Sequence, residues 1–438
     1  MKESGAKTPR TRDVRPDSRR RWGALALTLS VLFALLFHGH VISSEAAGDG
    51  ADENRWEVLP GSFANDRRMA DLLRHAEIFR RRAFDELRQR WTLTPGSTPL
   101  RWRIETSAPV SNLRGVDPRR GEKTRSLRAN HGGFELGRTY FDEGQVVIRL
   151  PARKFLAAPR RLQPVLLHEC AHAVFASRLG TRARYEALPF WFREGIALVV
   201  SGEGASRLRE RVAYTVFEGR SPDAFLVGPR PLEPGLRMSS EEAFAMVDAI
   251  RTRIGNGVFK AFVAEIARGS VDAACRKFIG VSKEAVRLRA AYDVRVTVSG
   301  LISPDLVERF QRAYERFGAG ETGAIAELRR MLDRGPDSPL SGTLRYLIVR
   351  EGIRVAGSGP PEASIKDRLR ALLGSRDALW RPEALVLSGR IEQLAMRYEK
   401  ARNIWLATLE EFGEDRLVAE RVRRLLAQLD GGQYGKPR

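Results

Sequence analysis

The stretch VLLHECAHAVF, Val165 to Phe175, decides how the rest of the chain is read. It places His168, Glu169 and His172 in the order His-Glu-x-x-His. On a helix, positions i and i+4 lie on one face, a turn apart. Both imidazoles can then reach one metal ion, and Glu169 beside them can deprotonate a water that the ion activates. Leu162, Val165, Leu166, Leu167, Val174, Phe175 and Leu179 supply apolar surface for such a helix. No Gly or Pro interrupts Val165 to Leu179, and Gly180 stands where a C-terminal glycine cap belongs.

Two histidines do not complete a catalytic zinc site, which usually takes three protein ligands and leaves a fourth position for water. The third candidate is Glu194, in LPFWFREGIALVV, Leu188 to Val200. This second apolar segment starts after Pro189 and carries Phe190, Trp191, Ile196, Leu198 and Val199. A carboxylate in such a segment is either costly or used.

A His-Glu-x-x-His helix followed by a second helix reading Pro-aromatic-Trp/Phe-x-x-Glu-Gly-x-Ala resembles the gluzincin metallopeptidases, in particular the minimal peptidase MA-like domains of bacteria. The resemblance covers roughly residues 60–295 and is strongest at 165–200. It implies Zn2+ as cofactor, His168, His172 and Glu194 as its ligands, and Glu169 as general base and acid. It also implies an oxyanion donor, often a Tyr or His in gluzincins, for which Tyr140, Tyr185, Tyr214 and His131 are the candidates. Leu198 stands one turn past Glu194, where some gluzincins keep an Asp, so support for the metal-bound imidazoles must come from elsewhere. Substrate is expected to bind extended along a sheet edge by strand addition.

At 438 residues, with 43% apolar and 29% charged side chains, the chain has the composition of a folded protein of two or three domains. The formal charge is +21. Dispersed arginines without interleaved aromatics or a nucleic-acid motif argue against nucleic-acid binding. The two cysteines, Cys170 and Cys275, read as small buried apolar groups, with Cys170 pointing away from the His168/His172 face; sequence leaves a disulfide between them open.

Residues 1–21 are polar and basic, which suits a cytoplasmic tail. Residues 22–43 are largely apolar: Gly23 to Phe37 suits a signal-peptide core, with a small-x-small site at Ser44-Glu45-Ala46, while counting on to Ile42 gives enough length for a membrane anchor. The long basic tail favours the anchor, with the body outside the cytoplasm, attached to the inner membrane; cleavage would make the protein secreted or periplasmic. His38 and His40 read as interfacial. Residues 44–60 read as a polar linker.

A helix is expected from Asn65 to Trp91, where Met69, Leu72, Ala76, Phe79, Ala83, Leu87 and Trp91 recur at helical spacing, with His75 solvated or in the core. Leu100, Trp102, Ile104 and Thr106 alternate as a strand. A basic loop, 107–132, leads to a hairpin: Phe134, Leu136 and Tyr140, the turn Asp142-Glu143-Gly144, then Val146 to Leu150. After the Glu194 helix, Arg207 to Phe217 is mixed in pattern and Ser221 to Arg237 is a Pro- and Gly-rich loop. Ser239 and Glu242 form a capping box opening a helix to Ile254. Val258 to Ala267 is a further helix, and Phe278 to Tyr292 closes this part of the chain.

Residues 303–438 are nearly all helical in pattern, broken at Gly357-Ser358-Gly359-Pro360-Pro361. RYEKARNIWLATLEEFGED, Arg397 to Asp415, looks like the second helix of a degenerate tetratricopeptide hairpin, with Gly389, Ala401 and Trp405 at the small, small and large positions. Ala324, Leu328 and Pro336 suggest an earlier copy. Stacked hairpins offer a groove for a protein partner.

The expected architecture is therefore α+β: a mostly helical zincin-type domain with a small N-terminal sheet over 61–300, followed by an all-α, repeat-like domain over 303–438. The expected function is that of a zinc-dependent peptidase of the bacterial cell envelope, acting on a peptide or protein substrate. The alternative is a non-catalytic envelope scaffold whose helical repeats bind protein partners.

Overall fold

A computed structural model describes residues 56–59, 66–106, 137–227, 238–357, 359, 361–374, 379–413 and 415–430. The fold is α+β and rich in helix, with one small sheet near the N-terminus. The strands are β1 (Trp56–Leu59), β2 (Leu100–Glu105), β3 (Arg138–Asp142) and β4 (Gln145–Pro151), in the order β1-β2-β4-β3. β1 runs parallel to β2 and β2 parallel to β4, with Trp56 opposite Trp102 and Trp102 opposite Ile148. β3 returns antiparallel to β4 and forms one edge. The turn between them has positive φ at Glu143 (48°) and Gly144 (78°). Two such residues match the twist of the flanking strands, which is why Gly belongs there.

β1 corrects one expectation, since it lies inside the stretch 44–60 read as linker. Four residues, WEVL, are too few to announce a strand by alternation. Pairing with β2 and the contact of the Trp56 and Trp102 rings, 5.2 Å apart, hold the segment in the sheet. Phe134, Leu136 and His131 lie outside the described residues, as do 1–55.

Helix α1 (Met69–Trp91) packs its Leu72, Ala76, Ala83 and Leu87 face inward, while His75 is exposed and stacks on Phe79. After β4 come α2 (Ala152–Ala157), a 3-10 turn (Pro159–Arg161), then α3 (Leu162–Leu179), the helix of the His-Glu-x-x-His motif. α3 is buried on nearly every side, against α1, β3, β4 and α5 (Phe190–Ser201). It ends where expected, at Gly180, whose φ of 77° lets its N–H return to the Ala176 carbonyl.

Between α3 and α5 lies α4 (Arg182–Glu186). Beyond α5 come α6 (Gly204–Phe217), α7 (Ser240–Ile254), α8 (Asn256–Ile266), α9 (Val271–Ile279) and α10 (Lys283–Gly300). Ser239 caps α7 through the Glu242 N–H. The Glu242 carboxylate accepts from the Val227 N–H and so ties the preceding loop to this helix. The stretch 278–292 is not continuous: Gly280, at φ 84°, closes α9, and Ser282 caps α10, which runs on to Gly300.

Helices α11 (Pro304–Gly318), α12 (Thr322–Arg334), α13 (Ser341–Ala356), α14 (Ala363–Gly374), α15 (Arg381–Leu394), α16 (Tyr398–Phe412) and α17 (Arg416–Asp430) follow. Residues 52–438 cluster as one compact unit. The division expected near 300–303 falls at the turn between α10 and α11, yet the buried core continues across it as far as Ile391. A second, smaller core gathers Val386, Ala401, Trp405, Phe412, Val418 and Val422. In the α15–α16 pair a Cβ at Gly389 would run into the Trp405 indole, and Ala401 is fully buried. The small-small-large arrangement read from the sequence thus has a packing basis.

The C-terminal end of α16 is held by the N-terminal part of the chain. Arg153 of α2 donates to the Leu409 and Glu410 carbonyls at 2.7 and 3.1 Å, Arg68 pairs with Glu410 at 2.8 Å, and the Arg161 guanidinium lies 5.6 Å from the Phe412 ring centre. These carbonyls have no partner within the helix, so arginine donors there satisfy groups that would otherwise need water. Both cysteines are free and buried.

Candidate metal centre

α3 carries His168 and His172 one turn apart, with both Nε2 atoms turned toward the same point, 3.1 Å from each other. Glu194 comes from α5 and closes the group: Oε1 lies 3.7 Å from His168 Nε2, and Oε2 lies 3.6 Å from His172 Nε2. One ligand atom from each of the three residues lies within 4.8 Å of the others. Zinc bonds to imidazole nitrogen and carboxylate oxygen are about 2.0–2.2 Å long, which sets tetrahedral ligand atoms about 3.3 Å apart. The donor set and its spacing therefore fit a Zn2+ ion, with small adjustments of the side chains. It is the only such group among the described residues.

The charges are arranged for a cation. Burial drives the His168 imidazole down to a pKa of about 3, helped by its neighbour His172, so the ring is neutral at any working pH and keeps one nitrogen lone pair. Burial alone would lower His172 too, but the proximity and charge of Glu194, together with Glu169, raise it above the ordinary histidine value. Burial would lift Glu194, yet His172, His168 and Arg207 hold its carboxyl below the usual carboxylate range. Two imidazoles and an ionised carboxylate, nearly enclosed, are costly to assemble unless a cation repays their desolvation.

A glycine explains how α5 reaches this position. Gly195, next to Glu194, faces α7 so closely that a Cβ would collide with the Ala243 carbonyl oxygen and the Val247 side chain. A Cβ at Gly204 would likewise strike the Phe244 ring. The Glu-Gly pair in the sequence is thus one candidate ligand plus the close approach that α7 makes behind it. Leu198, one turn on, is fully buried in the core.

Glu169 lies on α3 beside the imidazoles and is buried to 5% exposure. The hydroxyl of Thr139, on β3, donates to Glu169 Oε2 at 2.7 Å and lies 3.1 Å from the Glu169 carbonyl. Just before β3, a Cβ at Gly137 would stand 2.8 Å from Glu169 Cγ, so any larger residue there would push this side chain aside. Sequence reasoning missed Thr139 and Gly137. The one available signal was alternation, which places Thr139 on the same face as Ile148, toward α3, and Tyr140 on the other.

The four oxyanion candidates separate. The Tyr140 hydroxyl, on the far face of the sheet, accepts from Arg103 at 3.3 Å. Tyr214, on α6, donates to Glu218 just past the end of that helix at 2.9 Å. Tyr185, on α4, lies within 2.9 Å of His172 Nδ1, behind the imidazole. His131 lies outside the described residues. Sequence reasoning also passed over Arg207 of α6, whose charge acts on both His168 and Glu194.

No protein family, curated protein or solved structure gives a significant match to this chain.

Proposed function

We propose that this protein is a zinc-dependent peptidase of the bacterial cell envelope, with His168, His172 and Glu194 as metal ligands and Glu169 as general base. The observation that supports this most directly is the convergence of three ligand atoms from two separate helices at zinc-like spacing, with a buried carboxylate beside them. A bound Zn2+ would supply a Lewis acid that lowers the pKa of water to about 7 and polarises a peptide carbonyl.

Glu169 takes a proton from water as the water oxygen attacks the peptide carbon. It then passes that proton to the amine that leaves when the C–N bond breaks, so one water is consumed per bond cut. Thr139 keeps Oε2 of Glu169 in place, and burial keeps bulk water from competing for the proton. Edge strand β3 runs beside α3 and offers backbone groups to an extended peptide, which would be held by strand addition.

The envelope assignment rests on the apolar segment 22–43, which lies outside the described residues. Among the described residues no helix is long and apolar enough to cross a membrane.

The deciding experiment is the metal content of the purified chain by mass spectrometry, paired with a peptide-library digest. About one zinc per chain, and cleavage lowered by about 10²–10⁴-fold in Glu169→Gln with zinc retained, is the expected result. A folded chain that takes up no zinc on reconstitution would refute the proposal.

A further inference from the structure

The ten residues between the two ligand helices, 180–189, do more than connect them. They fold into α4, one turn long, capped by the Thr181 side chain accepting from the Arg184 N–H. The product of that turn is a single inward side chain, Tyr185, 7% exposed. We propose that Tyr185 is a positioning residue for His172, fixing the orientation of the imidazole and accepting its Nδ1 proton when Nε2 binds the metal. This inference rests on the zinc reading above and deepens it.

The geometry is specific. The Tyr185 hydroxyl oxygen lies 2.9 Å from His172 Nδ1, and the two rings meet nearly at right angles, 87° with centroids 6.5 Å apart. The tyrosine is itself held from two sides: the Phe141 ring of β3 lies 6.2 Å away, and the Arg193 guanidinium lies 5.1 Å from the ring centre. Arg193 directly precedes Glu194, so the same contact ties α4 to the helix of the third ligand.

A neutral imidazole carries one proton. When the Tyr185 oxygen accepts Nδ1–H, the lone pair is left on Nε2, the atom that faces Glu194 and His168. With the proton on Nε2 instead, that nitrogen could not bind a cation. The Tyr185 oxygen is thus placed to accept the Nδ1 proton of the tautomer that can ligate through Nε2. His168 is treated differently: its Nδ1 is buried with no hydrogen-bond partner among the described residues. No hydrogen bond at Nδ1 orients that ring from behind, and His172 is the ligand that the structure sets in advance.

The test uses the full chain, in detergent, with its histidines labelled with 15N. There are six histidines in the sequence, few enough to assign by substitution. Long-range nitrogen–proton spectra report which nitrogen of each ring is protonated and which is metallated. In the zinc-loaded wild type, His172 should be metallated at Nε2, with an Nδ1–H shifted downfield and slow to exchange.

In Tyr185→Phe, which keeps the ring and removes only the oxygen, that proton should lose its shift and its protection. The zinc dissociation constant, from chelator competition, should rise about 10–100-fold, while the His168 signals hold still. A variant that binds zinc within about twofold of wild type, with its His172 proton unchanged, would overturn the inference. Should the variant not fold, the wild-type spectrum decides: metallation of His172 through Nδ1, or an Nδ1–H that exchanges like an exposed one, overturns it. A wild-type chain that binds no zinc would speak against the peptidase reading alone, because the hydrogen bond to Tyr185 is readable on the metal-free chain.

Discussion

The hydroxyl of Thr139 sits 2.7 Å from Oε2 of Glu169, and this one bond joins the edge strand of the sheet to the helix that carries both histidines. Thr139 and Glu169 are 30 residues apart in sequence, and most of the intervening chain is a hairpin and two short turns. In the proposed mechanism Glu169 collects a proton and delivers it elsewhere, which requires that it be held in one rotamer. The hydroxyl does this from the strand that the substrate would join.

Two substitutions separate holding from chemistry. Glu169→Gln should keep one zinc per chain and lower the turnover of any cleaved peptide by about 10²–10⁴-fold. Thr139→Val removes one hydrogen bond to a charged group, about 1.5–3 kcal/mol, and should lower turnover by about 10–100-fold without loss of metal. Turnover of both variants, measured beside their zinc content, checks the pair. Wild-type rates in Thr139→Val would remove the strand from the mechanism.

Glu194→Ala deletes the carboxylate proposed as the α5 ligand and leaves two imidazoles on α3. Zinc affinity should fall by more than about 100-fold, beyond the effect expected for a group that merely orients a ligand. Titration against a chelator of known affinity measures this. Equal affinity in the variant would exclude Glu194 as a ligand.

Gly195→Ala tests the close packing behind the ligand. The added methyl would meet the Ala243 carbonyl, and overpacking of this kind costs about 1–3 kcal/mol. The variant should unfold at lower denaturant than wild type. Its zinc affinity should fall as well, because relief of the clash with α7 shifts α5, and Glu194 with it, relative to α3.

Glu383, near the start of α15, gives the fold a pH dependence independent of the metal. Burial, with Asp415 nearby adding to it, pushes its carboxyl up to about 7 from the ordinary 4.5. The folded chain keeps this proton over a range where the unfolded chain has released it. Stability from this group is therefore complete below about pH 4.5 and is lost as pH rises toward 7, by at most about 3 kcal/mol. Glu383→Gln should flatten the fall in denaturation midpoint between pH 5 and pH 8. An identical pH profile in variant and wild type would show that Glu383 is ordinary.

Arg153→Ala removes the donor for two carbonyls at the end of α16, leaving the Leu409 and Glu410 oxygens in need of water. A loss of about 1–3 kcal/mol follows, and hydrogen exchange should rise first in α15 to α17. Uniform exchange along the chain would place the effect elsewhere.

The sequence by itself determined what local chemistry can determine. A spacing of four fixes two histidines on one helical face because the helix has 3.6 residues per turn, so His168, Glu169 and His172 were legible as a group before any fold was known. Glu194 was legible because an acid inside an apolar run needs a reason. The strand at 100–105 followed from alternation, that at 145–151 from an apolar run after a turn, and the helical character of 303–438 from periodicity.

Only the tertiary structure decided what depends on segments far apart in the chain. That β1 belongs to the sheet required β2 as its partner, since four residues carry almost no periodic signal. Thr139 and Gly137 gained their meaning from Glu169, a contact set by how a strand edge passes a helix. Tyr185 was one of several tyrosines in the sequence, and only the folding of 180–189 placed its oxygen behind His172 and not in front of it. Gly195 was part of a family-like pattern, but the reason for it is a carbonyl on another helix. Sequence spacing fixes geometry within one element, whereas the approach of one element to another is a property of the packed core.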